Sequence, residues 1–264
     1  VTQQERPKRP RSNPRRITVA AVRQLSPRMR RITFGGSDLA SFVWSGPAAH
    51  IKIIFPEPGL GLNTVAVPEP DGPRSPNTRT YTPRRFDGAA LTLEVDFVLH
   101  GDGPASTWAA QAKIGQQLVM MGPGPGYAID PDAPWYLLLA DDAALPAVET
   151  ILDAVPPAAH VTVLLEVVAA DEARALPGPA GTNVRWLARG NDAQPPGSPL
   201  LAALDGFVWP AGEGCVYVGC EATAMRRIRQ VIVEASGLDR KRIITRGYWR
   251  TGAVNHPDHD YALD

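Results

Sequence analysis

The sequence predicts two domains behind a basic tail: an antiparallel β-barrel over residues 16–131, then an α/β domain with a mainly parallel sheet over residues 132–264. Three observations predict it. Arg16 to Leu25 and Met29 to Phe34 alternate polar with apolar residues, the period of strands that are wet on one face. After Pro131 the apolar runs become continuous, at Trp135 to Ala140, Val161 to Val167, Val184 to Ala188 and Cys215 to Gly219, as in strands covered on both faces. Helical stretches at Leu145 to Ala154, Pro199 to Ala203 and Ala222 to Ala235 separate several of these runs, which implies crossover connections and parallel pairing.

The tail, residues 1–15, crowds Arg6, Lys8, Arg9, Arg11 and Arg15 among Pro7, Pro10 and Pro14 without apolar periodicity, so disorder is expected there. It lacks the apolar core of a secretory signal. Over the whole chain Lys and Arg balance Asp and Glu to a formal net charge of zero, which argues against a nucleic-acid partner. Apolar residues make up 44% and charged residues 20%, the balance of a globular protein. No run approaches the roughly 18 to 20 apolar residues that cross a bilayer, so no membrane insertion is expected. The cysteines are two, Cys215 and Cys220, flanking one apolar run; buried thiols in a reducing cytoplasm are the expectation. With neither a long heptad nor a large apolar patch in view, the expected state is a monomer.

Taken in order, the first two strands meet at a Ser26-Pro27 turn, Ser37 to Phe42 reads as a short helical turn, and Ala48 to Pro56 reads as a third strand. Alternation sends His50, Lys52 and Ile54 to one face of that strand and Ile51, Ile53 and Phe55 to the other, so one face is apolar and one is open to ligand. Pro58 to Pro76 is a loop rich in Gly and Pro. A strand around Thr80, another over Leu91 to Leu99, a helix over Ala105 to Lys113 and a strand over Gln117 to Gly122 follow. Gly122-Pro123-Gly124-Pro125-Gly126 is an irregular loop, without the spacing of a dinucleotide fingerprint.

The stretch from Arg79 to Thr107 carries the chemistry. Arg79, Thr80, Tyr81 and Thr82 place a cation, a phenol and hydroxyls on one strand, and Gly103-Pro104-Ala105-Ser106-Thr107 is a helix start. Such a start presents unpaired N–H groups and the positive end of a dipole, which suits a diphosphate. In the second half, ligands of a parallel sheet sit beyond the carboxyl ends of the strands, here Asp141-Asp142, Glu166 and Gly219-Cys220-Glu221. His256-Pro257-Asp258-His259-Asp260 lies in a polar tail where Pro257 prevents a helical pair of His ligands, and no metal site is expected.

Arg79-x-Tyr81-Thr82-x-Arg84, Asp96-Phe97-Val98-Leu99-His100-Gly101 and Gly103-Pro104-Ala105-x-x-Trp108-Ala109, with Ala144-Leu145-Pro146-Ala147 and Gly247-Tyr248-Trp249-Arg250 later, resemble the siderophore-interacting protein family of the ferredoxin-NADP reductase superfamily. The resemblance runs from about His50 to Gly252 and implies FAD as cofactor. It implies Arg79 toward the diphosphate, Tyr81 against the ring system and Thr82 near its reactive edge. It also implies Asp96 to His100 along the ribityl and adenylate portions, Pro104, Ala105 and Ser106 at the phosphates, and Gly247, Tyr248 and Trp249 closing over the flavin. His50, Lys52, Arg84, Arg85, Arg246 and Arg250 are second candidates for flavin or substrate, the cations by charge alone. Asp141 and Glu221 are candidate contacts for the electron donor.

The implied function is a cytoplasmic FAD-dependent ferric-siderophore reductase in which the flavin carries the chemistry and no side chain is catalytic. A general flavin reductase or electron-transfer module, and a siderophore-binding protein that is not an enzyme, are the alternatives. Asp141-Asp142-Ala143-Ala144 stands where the family more usually has Gly-Asp-Glu-Thr, so the hydroxyl is missing; NADH, NADPH and a reduced ferredoxin all stay open as donor.

Overall fold

A computed structural model of the chain describes residues 13–57, 65, 75–101, 103–190 and 194–256. Most of the basic tail, most of the Pro58 to Pro76 loop and the Pro257 to Asp260 segment therefore lie outside the described residues. Within these bounds, the architecture is an antiparallel barrel sheet followed by a parallel sheet with helices on both faces, as the periodicities predict.

Seven strands form the first sheet: β1 (Arg15–Ser26), β2 (Met29–Gly35), β3 (Ile51–Ile54), β4 (Thr78–Tyr81), β5 (Pro83–Asp87), β6 (Thr92–Val98) and β7 (Gln117–Met121). Their order is β4-β3-β7-β1-β2-β6-β5, with antiparallel pairing throughout. The two edge strands, β4 and β5, are consecutive in the chain and joined by Thr82 alone. A sheet whose outer strands are tied by one residue must curl on itself, so Thr82 marks the seam of the barrel. Helix α1 (Pro104–Gln111) packs Trp108 against Phe34, Phe55 and Phe97 in the barrel core.

The sequence reading of this half needs two corrections. β5 is a separate strand that starts on Pro83, a position where the missing N–H costs no ladder bond because the strand is an edge. The third strand pairs only over Ile51–Ile54, because Ala48 has φ 50° and its N–H donates to Thr150 Oγ at 2.8 Å, outside any ladder.

Five parallel strands form the second sheet in the order β10-β9-β8-β11-β12: β8 (Trp135–Asp141), β9 (His160–Val167), β10 (Asn183–Ala188), β11 (Cys215–Glu221) and β12 (Ile243–Trp249). All seven residues of β8 and of β11 are buried, which is why they read as unbroken apolar runs. Alternate side chains divide between two cores. Tyr136, Leu138 and Tyr217 face helix α2 (Leu145–Leu152), whereas Leu137, Leu139, Val216 and Val218 face α3 (Ser198–Leu204) and α4 (Ala222–Ala235). The α2 core also takes in Met29, Ala48 and Tyr127, so the two sheets share one apolar layer.

Strand β12 extends through the aromatic pair Tyr248 and Trp249. Cys220 pairs with Gly247 and Glu221 with Trp249, so Tyr248 is an extra residue, a β-bulge. Polar contacts also cross the junction. The Arg246 guanidinium donates to Ala48 O at 2.8 Å, and Glu149 on α2 accepts from Arg84 of β5 at 2.8 Å and from Arg174 at 2.9 Å, with Arg31 of β2 at 3.5 Å. No helix among the described residues is long and apolar enough to cross a membrane.

Candidate active site

A cavity of about 480 Å³ lies between the barrel seam and the carboxyl rim of the parallel sheet. Arg79, Thr80, Tyr81 and Thr82 of the seam line it, with Asp96, Val98 and His100 from β6 and beyond, Ala105 and Ser106 from α1, and Gly247, Tyr248 and Trp249 from β12. Most of the residues expected around a flavin therefore converge on one space, as do His50, Arg246, Arg250 and Asp141. The cavity wall holds Gly103 of the helix start but not Pro104.

Other candidates lie off that wall. Phe97 is fully buried in the barrel core, its ring centroid 4.5 Å from that of Tyr81, and so supports the cavity wall from behind. Leu99 packs on the same core, and Lys52 sits on β3 without lining the cavity. Arg84 and Arg85 line a different groove with Trp44 and Asp153, because strand β5 carries them past the seam; Arg84 is spent on Glu149 and Asp153. Glu221 also stays off the wall: one oxygen accepts from Thr223 and Ala224 N–H, capping α4, and the other accepts from Thr251 N–H. Asp141 lines the cavity, but its oxygens accept from Ala143, Ala144 and Glu221 N–H and from the Trp249 indole. Strand-end carboxylates read in the sequence as ligand contacts; here their lone pairs go to the chain's own N–H groups.

Helix caps decide where an anion fits. α2 begins under Asp141 and α4 under Glu221, so both N-termini already face a carboxylate. α1 has no side-chain cap and no acidic residue in its first turn, and a Cβ added at Gly101 or Gly103 would meet nothing within 4 Å. Among the described helices of eight or more residues it is the one whose first N–H groups are left for a ligand on the cavity wall. Ser106 completes it: its Oγ accepts from His100 N–H at 2.8 Å, which leaves the hydroxyl proton available.

Arg28, Arg189 and Asp142 also line the cavity, and no motif or spacing singled out the two arginines. Arg28 follows Pro27 in the hairpin turn of β1 and β2, and only the folded hairpin carries it to the rim of the other sheet. Arg189 directly follows β10, at a carboxyl strand end that parallel-sheet logic would have flagged.

The rim titrates unusually. Burial pushes Asp142 up to about 7, Asp141 and Glu172 add repulsion, and Arg28 and Arg189 oppose the shift. Burial pushes Asp141 up to about 6, against its hydrogen bond from Trp249. An unfolded Asp142 would ionise near 3.8, so between that pH and about 7 the folded chain holds the extra proton. The group therefore costs nothing at low pH, costs progressively more as pH rises through that window, and costs most above it. Asp142→Asn is expected to raise stability at pH 8 by about 2–4 kcal/mol, with the gain fading toward pH 4 in urea titrations. An equal gain at both pH values would show that the carboxyl charge is not its source.

Comparison with known proteins agrees with this geometry. A family model described as a siderophore-interacting FAD-binding domain matches residues 18–127, and one described as siderophore-interacting protein matches residues 133–252. The ferric vibriobactin reductase ViuB of Vibrio cholerae is 30% identical over 256 residues, covering 94% of this chain and 93% of that one. The NADPH-dependent ferric-chelate reductase of Escherichia coli is 32% identical over 249 residues, covering 89% and 92%. The crystal structure of a siderophore utilization protein from T. fusca has a TM-score of 0.82 at 37% identity, covering 95% of this chain and 97% of that one. Matched in both halves, and nearly end to end by relatives of this similarity, the chain belongs to the siderophore-interacting protein family.

Proposed function

We propose that this chain is an FAD-dependent reductase that takes iron from ferric siderophores in the cytoplasm. The observation that carries the reading is the uncapped start of α1 in the same cavity as Tyr81, Thr82, Tyr248 and Trp249: an anion site and a place for a flat ring at one wall. The residues present fit FAD. The Ala105 and Ser106 N–H groups and the Arg79 guanidinium would hold the diphosphate, the Asp96 to His100 edge would run beside the ribityl and adenylate, and Tyr81 and Thr82 would face the ring.

Bound FAD supplies the ability to accept electrons in a pair and release them singly. The protein's part is positional and electrostatic. Tyr81 is fixed by its contact with Phe97, and the Tyr248 hydroxyl lies 2.9 Å from that of Tyr217. Arg28, Arg79, Arg189, Arg246 and Arg250 line the cavity with four carboxyl groups, of which Asp96 is held by Arg31, Asp141 by four N–H groups and Glu166 by Gly197 N–H and Arg189, while burial favours the neutral form of Asp142, so a modest excess of cation is what an approaching ligand meets. That field favours an anionic ferric complex. Siderophores hold Fe(III) through hard oxygen donors, and the softer Fe(II) is held far less well, so one electron releases the metal. Electron transfer to such a complex breaks no covalent bond in the protein's reach, and no side chain is assigned as a catalytic acid or base. NADPH, in the name of the Escherichia coli relative, is one candidate donor; NADH and a reduced ferredoxin are the others.

The test is direct. The purified protein is expected to be yellow and, once reduced without oxygen, to reoxidise on adding a ferric hydroxamate or catecholate complex while an Fe(II) trap takes up colour. A protein that stays reduced and yields no Fe(II) with either chelate class would sink the reading.

A further inference from the structure

The Tyr248 bulge needs a cause. In a regular strand, successive side chains point to opposite faces, so Tyr248 and Trp249 would not both reach one cavity. Both line it, because the extra residue in β12 re-aims the strand. A bulge leaves a ladder interrupted, and something must fix the two strands on either side of the gap. Glu221 and Trp249 are the pair that closes it. One atom binds both: Asp141 Oδ2 accepts from the Glu221 N–H at 3.0 Å and from the Trp249 indole N–H at 2.7 Å. The other oxygen, Oδ1, accepts from Ala143 N–H at 3.0 Å and Ala144 N–H at 3.3 Å, which holds the carboxylate plane against α2. A carboxylate gripped by four donors from three elements cannot turn to meet a ligand, although it lies on the cavity wall.

We propose that Asp141 is the positioning residue of the aromatic wall: its Oδ2 ties Glu221 to Trp249 across the bulge, and so keeps Tyr248 and Trp249 facing the cofactor cavity. Its position on the cavity wall suggests an electron-donor contact; the geometry gives it this other task. The role deepens the FAD reading and rests on it only for its consequence, since the lock itself is a property of the chain. Asp141 touches neither donor nor acceptor. It acts through Trp249.

Two measurements test it. In the full chain labelled with nitrogen-15 tryptophan, the Trp249 indole N–H, identified by its loss in Trp249→Phe, is expected to exchange with solvent slowly, and in Asp141→Asn quickly. This arm needs no cofactor, and if the Asn variant fails to fold, the parent alone decides: an indole proton that exchanges like free tryptophan overturns the proposal. In the second arm the FAD dissociation constant is compared in Asp141→Asn, Trp249→Phe and the double variant. Each single change is expected to weaken binding about tenfold, and the double variant about tenfold as well, because both cut the same link. Losses that multiply to about a hundredfold would show that Asp141 acts independently of Trp249 and would overturn it. A parent that binds no FAD yet protects the indole proton would reject the cofactor reading and keep the lock.

Discussion

Glu149→Ala is expected to lower the unfolding free energy by about 3–5 kcal/mol. Glu149 sits on α2 with 3% of its surface exposed and meets three guanidiniums, Arg84, Arg174 and Arg31. Arg31 and Arg84 belong to barrel strands β2 and β5, so a single carboxylate collects charges from both domains. Deleting it takes the carboxylate from Arg174 and leaves Arg31 and Arg84 to Asp96 and Asp153, three largely buried guanidiniums around one emptied position, and the cost is mainly that uncompensated charge and not the loss of any one contact. Arg31 also grips Asp96 through Nε at 2.6 Å and Nη2 at 2.7 Å, and Asp96 lines the cofactor cavity, so weaker FAD retention should accompany the lost stability. Asp153→Ala is the control. Asp153 binds the same Arg84 but its side chain is 45% exposed, and such a pair is worth about 0 to 1 kcal/mol. Guanidinium denaturation separates the two; if both variants lose the same amount, the junction is not held by buried charge.

That junction was invisible in the sequence for a physical reason. Helical spacing marks Leu145, Val148, Ile151 and Leu152 as a buried stripe, and Glu149, four residues after Leu145 and three before Leu152, borders it with nothing in the chain to name its partner. Only the arrival of β5 makes Glu149 interior, and β5 itself was missed because it opens on a proline and carries two arginines. The same arginines read as substrate cations, since charge alone cannot say whether a partner waits on another element. Strand-end carboxylates mislead in the same manner: Asp141 and Glu221 stand where parallel-sheet ligands bind, and whether such an oxygen meets a ligand or caps the following helix depends on N–H groups that composition does not reveal. What periodicity conveyed reliably were the elements whose burial is simple. β8 and β11 lie between two layers, and α4 has one apolar face and one charged face over Ala222–Ala235, the bounds that spacing predicts. The α1 start was legible as an anion site from its own residues, and the convergence of Arg79, Tyr81 and Thr82 on the same cavity is what the family resemblance implied. Arg28 and Arg189 had neither signal.

Gly219→Ala tests the opposite kind of constraint, a place where the fold forbids even one methyl group. Gly219 lies near the carboxyl end of β11, paired with Arg246 on one side and Ala140 on the other. A Cβ there would stand 2.7 Å from Ala144 Cβ, 2.9 Å from Tyr248 Cε2 and 3.2 Å from Tyr217 Cε1. Ala144 cannot retreat, because its N–H is held by Asp141 and it starts α2. Tyr217 is fully buried. Tyr248 is the neighbour with room to move, and its room is the cavity. The substitution should therefore cost about 1–3 kcal/mol of stability, the usual penalty of overpacking, and also push the Tyr248 ring into the space a flavin would take. FAD binding is expected to weaken by tenfold or more, equivalent to about 1.4 kcal/mol, with the Tyr217 to Tyr248 hydroxyl contact broken. Gly88→Ala provides the comparison, since its added Cβ would meet Phe86 at an ordinary 3.5 Å and leave both properties unchanged. Calorimetry and fluorescence titration with FAD read the two effects separately. A Gly219→Ala protein that is destabilised yet binds FAD as the parent does would mean that the strain escapes through the α2 side, and that Tyr248 does not form the flavin-facing wall.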